Sequence, residues 1–458
     1  MTDDVPLSPA DDSGAPPLFS DVSRRNVLRG AAGGAFALGA AGVLSACGGG
    51  LKGTSSPGAG SSAGNGRKKI TIGFITPLTG PVASFAVSDQ FVIDTIRKTQ
   101  KFSGGITSGA KTYDVEIVVK DSQSDPNRAT QVARELISQN NVDMILVTST
   151  PEVTNPVATV CEAQAVPCVS TIVPWEAWYF GRGAKPGSEF QYTTMFFFGI
   201  GEFGECFIPM WNRISNDKTV ALMYPNDVDG NAFRKAFPPL MQKAGYKTVD
   251  GGAYTDGTTD YSAMIATFKS AGADIYSNAP IPPDFNTFWK QAFQQGYRPK
   301  LATVAKVLLF PSDVEALGPL AENVATDAWW TPHHPFSSSL DGTTSKGIAD
   351  AFQKATGKQW LQSIGTSYAL FEVAHNAFSS VDDPHDRKAV AAALRGMKYT
   401  GICGQLDFTA GPVPGVAIIK PVGVQWKKGK DFPYSLEVVD NSANKAVPLT
   451  ADLKPTRA

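Results

Sequence analysis

Short apolar strands alternating with amphipathic helices, twice over, constrain this chain to parallel sheets covered by helices. In the first block, residues 70–75 form a β-rich run ending in the turn Thr76-Pro77-Leu78-Thr79-Gly80-Pro81, and residues 83–99 read as an amphipathic helix. Val115, Ile117 and Val119 alternate as a strand, and Asp125-Pro126 then opens a helix as N-cap and first-turn proline. That helix carries Ala129, Val132, Ala133, Leu136 and Ile137 on one stripe. Met144-Ile145-Leu146-Val147 is the continuous apolar run of a strand buried on both faces, and a strand over 167–170 closes the block. The second block begins with Val220-Ala221-Leu222-Met223-Tyr224 and continues through helices at 232–244 and 261–271. A strand at 275–279 follows, then a helix at 284–294 with Phe285, Phe288, Trp289, Ala292 and Phe293 on one face. Two such blocks predict two parallel-sheet lobes. Helices at 345–356, 364–381 and 387–397 have no strands of their own and must dock on a lobe already formed.

The N-terminus carries an address. Ser23-Arg24-Arg25-Asn26-Val27-Leu28 reads as a twin-arginine export signal, ahead of a Gly/Ala-rich run at 31–43 too short to span as a mature helix. Leu44-Ser45-Ala46-Cys47 resembles the bacterial lipobox, which implies cleavage before Cys47 and lipid on its thiol. Residues 1–46 are then a signal peptide and 47–68 a Gly/Ser-rich tether. The protein is expected to leave the cell by the twin-arginine route and to stay at the outer face of the membrane, or in the periplasm, on its lipid. With 41 basic and 42 acidic residues, nothing points to nucleic acid as a partner. Cys161, Cys168, Cys206 and Cys403 allow disulfides in three pairings and show no C-x-x-C spacing. His333, His334, His375 and His385 include no helical pair, so neither metal nor cofactor is expected.

Several markers fall in a specific order. Ile72-Gly73 leads into Pro77-Leu78-Thr79-Gly80-Pro81-Val82-Ala83, followed by Asp121-Ser122-Gln123-Ser124-Asp125-Pro126 and Thr259-Asp260-Tyr261-Ser262. The segment 284–296 comes next, and Gly401-Ile402-Cys403-Gly404-Gln405-Leu406-Asp407-Phe408 comes last. Across about 69–439 the chain thereby resembles a type I periplasmic binding protein of the branched-chain amino acid receptor family. The resemblance implies an α/β fold of two Rossmann-like parallel-sheet lobes joined by a three-crossing hinge. It further implies a monomeric extracytoplasmic receptor that hands a small ligand to an ABC transporter permease. Residues 69–193 and 329–400 would form lobe one, and 194–328 and 401–450 lobe two, with crossings near Thr193, Trp329 and Gly404.

In open parallel sheets ligands bind beyond the carboxyl ends of strands. Three such ends, at 74–80, 147–150 and 170–175, bring the hydroxyls of Ser149, Thr150, Ser170 and Thr171 to one edge of lobe one. Hydroxyls with helix N–H groups suit a carboxylate; helix capping is the alternative. By the resemblance, Phe85 stands against the ligand, and Asp284 supplies the carboxylate for a ligand ammonium. Read from residues alone, Phe85 is a core residue and Asp284 an N-cap after Pro282-Pro283, kept ionised by the helix terminus. Tyr261, Trp175 and Trp330 complete the expected contacts. The abundance of aromatics (Phe196-Phe197-Phe198, Trp211, Trp329-Trp330) extends the expected ligands from amino acids to flat, aromatic ones.

A competing reading comes from Gly199-Ile200-Gly201-Glu202-Phe203-Gly204, which fits the G-x-G-x-x-G dinucleotide fingerprint of an exported nicotinamide oxidoreductase. Against it, Asp217 precedes the next strand, Asp227 comes late, and the motif lies mid-chain. No catalytic residue is assigned, since the strand-and-helix part of the chain shows no G-x-S-x-G nucleophile elbow and no H-E-x-x-H.

Overall fold

In the computed structural model, residues 68–456 are described. The first sheet contains β1 (Lys69–Thr76), β2 (Ile106–Ser108), β3 (Lys111–Asp121), β4 (Met144–Thr148), β5 (Cys168–Thr171) and β6 (Thr193–Phe197). The second holds β7 (Thr219–Met223), β8 (Lys247–Asp250), β9 (Ile275–Asn278), β10 (Leu301–Val304) and β11 (Ala325–Ala328). After the late helices come β12 (Lys398–Gly401), β13 (Gly404–Asp407), β14 (Val416–Ile418), β15 (Val422–Lys428) and β16 (Tyr434–Asp440). The sheet orders are β14-β6-β5-β4-β1-β3-β2 and β16-β15-β11-β10-β9-β7-β8, with β12 and β13 forming a separate ribbon. β1 lies parallel between β3 and β4, pairing Ile72 with both Ile117 and Met144. In the second sheet β7, β9, β10 and β11 run parallel, and the antiparallel β15–β16 hairpin extends the edge.

The amphipathic spacing accounts for the covering helices. In Pro126–Ser138 the stripe Ala129, Val132, Ala133, Leu136 and Ile137 is buried, and Asp125 accepts the Arg128 N–H at 2.7 Å as N-cap. Each large side chain on that stripe contributes roughly 1.5–3 kcal/mol by leaving water, and the cap about 0.5–2 kcal/mol. Leu136 lies so close to Gly73 that a Cβ there would meet its Cδ1 at 2.7 Å. The helix expected over 83–99 divides into a 3-10 turn, Ala83–Ala86, and a helix, Asp89–Lys98. Buried polar contacts fix that break, since Asp89 accepts from Thr76 (2.6 Å) and Ser367 (2.7 Å), while Ser88 and Ser363 share a hydrogen bond. The almost wholly buried helix Ser363–Ser379 packs against Asp89–Lys98 and against β2, β4 and β5, which docks it on the first lobe.

Two crossings differ from the expected positions. β6 pairs with β5, so the chain leaves the first lobe after Phe197 rather than near Thr193. The return follows β11, at Trp329. The third crossing lies at residues 419–421, not near Gly404, because β14 pairs with β6 in the first sheet. Gly404, at φ +84°, instead makes the tight turn of the β12–β13 ribbon, where a Cβ would meet the Phe336 ring at 2.9 Å. The second lobe extends past 450 to Thr456, which bonds Lys300 and Ala302 beside β10. Cys161, Cys168, Cys206 and Cys403 are buried free thiols. Among the described residues no helix is long and apolar enough to cross a membrane. The export signal, Cys47 and the tether up to Arg67 lie outside the described residues.

Candidate functional site

The carboxyl ends of both sheets converge on a small cleft of about 30 Å³, lined by residues from both lobes. Phe85, Thr150 and Phe197 come from the first lobe, Asp229, Phe233, Lys306 and Asp327 from the second, and Trp329 from the return crossing. The lobes touch at the mouth, where the Phe85 ring meets Phe310 edge-on at 4.6 Å and the Ser84 hydroxyl donates to Asp313 at 3.1 Å.

The first-lobe wall is built on a helix N-terminus and the end of β4. Helix Pro151–Ala163 begins there, with Thr150 at the N-cap in extended geometry and no side-chain cap. Ser149 stands at φ +128°, a costly conformation for a residue with a Cβ, and its hydroxyl is buried without a partner, as is that of Thr148. An uncapped helix N-terminus beside unpartnered hydroxyls suits a carboxylate. Helix capping, the alternative for these hydroxyls, is made by neither Ser149 nor Thr150.

The second-lobe wall is charged. Asp227 caps helix Val228–Lys243, with Asp229 in its first turn. Lys306, just past β10 at φ +69° and only 8 % exposed, places its ammonium 2.9 Å from Asp227 and 3.1 Å from Asp229. Glu152, from the opposite lobe, brings a carboxylate oxygen within 4.8 Å of both acids. Burial would discharge Lys306, but Asp227, Asp229 and Glu152 outweigh it and hold the ammonium charged well above its ordinary range. Burial pushes the Asp229 carboxyl up to about 7, against the pull of Lys306 and with the help of Glu152 and Asp227. One Asp229 oxygen, Oδ1, has no partner.

Of the residues expected to bind, Phe85 and Thr150 line the cleft, and Ser149 adjoins Thr150 on the first-lobe wall. Thr171 spends its hydroxyl on the Phe196 carbonyl (2.8 Å), and Ser170 accepts the Trp178 indole N–H (3.2 Å). Trp175 packs on Gly199, where any Cβ would come within 2.3 Å of the indole. Tyr261 lies edge-on to Tyr254 and Phe288, away from the cleft lining. Trp330 is pressed against Gly365 and Trp360, and its neighbour Trp329 faces the cleft instead. Asp284 is neither N-cap nor cleft residue: Ile281 holds the cap position, and both Asp284 oxygens accept the Gly257 N–H (3.0 and 3.1 Å). The helix terminus does not keep it at an ordinary carboxylate pKa, since burial drives it up to about 6 despite the Gly257 bond. Lys306, Asp227 and Asp229 escaped the sequence reading, although Lys306 is the one charge in the run Leu301 to Phe310 and Asp227-Val228-Asp229 opens a helix.

The glycine fingerprint does open a helix, Ile200–Asn212, directly after β6. Its N-terminus, however, is filled by acids of the chain itself. The Ile200 N–H donates to Glu176 (2.9 and 3.1 Å) and the Gly199 N–H to Glu202 (2.8 Å). A pyrophosphate would meet two carboxylates where it needs free N–H groups.

Two sheet-and-helix lobes that meet across a buried cleft, joined by short crossings, define a protein that encloses a small ligand. The chain belongs to the periplasmic binding protein family, whose pattern matches residues 69–427. Among similar proteins, Leu/Ile/Val-binding protein homolog 3 of Brucella melitensis is 24% identical over 336 residues, 71% of this chain and 83% of that one. Leu/Ile/Val-binding protein BraC3 of Rhizobium johnstonii is 23% identical over 337 residues, again 71% and 83%. The fold matches LivJ, a branched-chain amino acid transporter substrate-binding protein of Streptococcus pneumoniae solved with isoleucine, at TM-score 0.64 and 17% identity, covering 81% of this chain and 100% of LivJ. It also matches an ABC transporter solute-binding protein of Rhodopseudomonas palustris BisB5 solved with 3,4-dihydroxybenzoic acid, at TM-score 0.65 and 18% identity, covering 85% and 99%.

A pH test follows from Asp327, which is fully buried on the cleft wall and raised to about 7 by burial, against the hydrogen bond from Thr326. Because this folded-state pKa exceeds the unfolded one, the folded protein holds more protons between about pH 4 and 7, and stability falls as pH rises through that window. Asp327→Asn removes this group's share, at most about 1.4 kcal/mol per pH unit. Denaturant unfolding at about pH 5 and about pH 8 should find the variant gaining on wild type at the higher pH; a constant difference would contradict the assignment.

Proposed function

We propose that this protein is the extracytoplasmic receptor of an ABC importer, taking an amino acid or similar small carboxylate metabolite between lobes that close around it. The observation that carries this reading is the cradle at Ser149 and Thr150: a strained backbone, an unpartnered buried hydroxyl and an uncapped helix N-terminus, all at one cleft wall. Phe85 and Thr150 contact the ligand from the first lobe, and the aromatic side chains take its apolar part. The relatives named for leucine, isoleucine and valine, and the structural neighbours solved with isoleucine and with an aromatic acid, support the ligand class. The motifs before Cys47 support export by the twin-arginine route and a lipid anchor, with residues 47–68 as the tether of a monomeric receptor.

Thermal melting against the amino acids and their related carboxylic acids tests this. A ligand at about 100 times its Kd adds about 2.7 kcal/mol to stability, a clear rise in Tm. Ser149→Ala should weaken that ligand about 3- to 10-fold without lowering the unliganded Tm, because its hydroxyl bonds nothing in the fold. A panel without any shift would contradict the receptor reading. Cys47→Ala should release the protein from the membrane fraction; retention there would contradict the anchor.

A further inference from the structure

We propose that Lys306 is a tethered ammonium filling the acidic end of the cleft, so that the ligand is a small apolar or aromatic carboxylate without an α-amino group. This rests on the receptor reading of the same cleft and narrows its ligand.

Three carboxylates, Asp227 and Asp229 from one lobe and Glu152 from the other, approach within 4.8 Å of one another. Such a group seeks a cation, and in a receptor for amino acids the ligand's ammonium would supply it. Here the chain supplies its own. The Lys306 ammonium already sits 2.9 Å from Asp227 and 3.1 Å from Asp229. It is not a mobile surface charge, being 8 % exposed on a residue at φ +69° within the tight turn that bonds Val307 N–H to the Ala305 carbonyl at 2.8 Å. A second ammonium in the same space would meet a fixed like charge in a poorly solvated cleft.

Neither Asp284 nor Asp327 offers a better place. Asp284 gives both oxygens to Gly257 and lies off the cleft lining. Asp327 lines the cleft but already accepts from Thr326, and burial raises it to about 7. A free oxygen on the second wall, Asp229 Oδ1, belongs to a carboxyl also raised to about 7, which offers an O–H to a ligand oxygen as readily as a charge to an amine. The rest of the lining is Phe85, Phe197, Phe203, Phe233 and Trp329, an apolar and aromatic surface that favours an alkyl chain or a ring over a polar group. The ligand's carboxylate remains with the cradle at Ser149.

Calorimetry with matched pairs decides the matter: leucine against 4-methylpentanoate, and phenylalanine against 3-phenylpropanoate, on wild type and Lys306→Met. In wild type the acid lacking the amino group should bind at least about tenfold tighter than its amino acid in one pair or both. In Lys306→Met the order should reverse, because the three acids then lack a cation and accept the ligand's. The wild-type comparison decides even where the variant does not fold. Tighter binding of the amino acids, or binding of some other amino acid with neither pair bound, would overturn the inference and leave the receptor reading standing. An unreversed order in a folded Lys306→Met would overturn the part given to Lys306. Binding of no member of either pair and of no amino acid would sink both readings.

Discussion

A charge buried in the wall of a cleft must be paid for locally, and the arrangement around Lys306 follows from that. Removing an ammonium from water costs several kcal/mol unless close counter-charges and good hydrogen bonds offset it. The offset comes from Asp227 and Asp229, and it fixes where helix Val228–Lys243 begins relative to the end of β10. Glu152 belongs to the other lobe, so the balance of charge is set only when both lobes are in place. The second wall thereby carries its own counter-cation, whereas the first presents buried hydroxyls without partners and a helix without a side-chain cap.

The lobes are tied at each crossing by few, well-placed bonds. Glu176 of the first lobe holds the Ile200 N–H, where the outgoing helix starts. Gln362 clasps the return strand twice, donating to the Asp327 carbonyl at 2.9 Å and accepting from the Trp329 N–H at 3.1 Å. At the third crossing the Ile419 N–H reaches the Phe197 carbonyl at 3.2 Å. Bonds of this kind contribute about 0.5–1.5 kcal/mol each, enough to fix the ends of each crossing without welding the lobes together. Hinge closure around a ligand needs such anchored but short connections.

Much of the fold was legible because amphipathic spacing is local. The stripe from Ala129 to Ile137 and the cap at Asp125 need nothing beyond their own helix to be read. The third crossing was not legible, since Gly404 reads as an exit until the pairing of Val416 with Met195, more than two hundred residues back, places β14 in the first sheet. The site divides the same way. Thr150 could be reached from a strand end, and Phe85 only through the family resemblance, whereas the role of Asp284 depends on Gly257, which local pattern cannot bring beside it. Lys306 was hidden because a single charge in an apolar run ordinarily marks a solvated edge.

The proposed receptor works by one event, the closing of two lobes over a small ligand. Small-angle scattering of the purified protein, with and without the acid that raises its Tm most, measures that event directly. The account predicts a smaller radius of gyration with ligand bound, the Phe85–Phe310 and Ser84–Asp313 contacts at the mouth belonging to the closed arrangement. Identical scattering curves for free and saturated protein would contradict it.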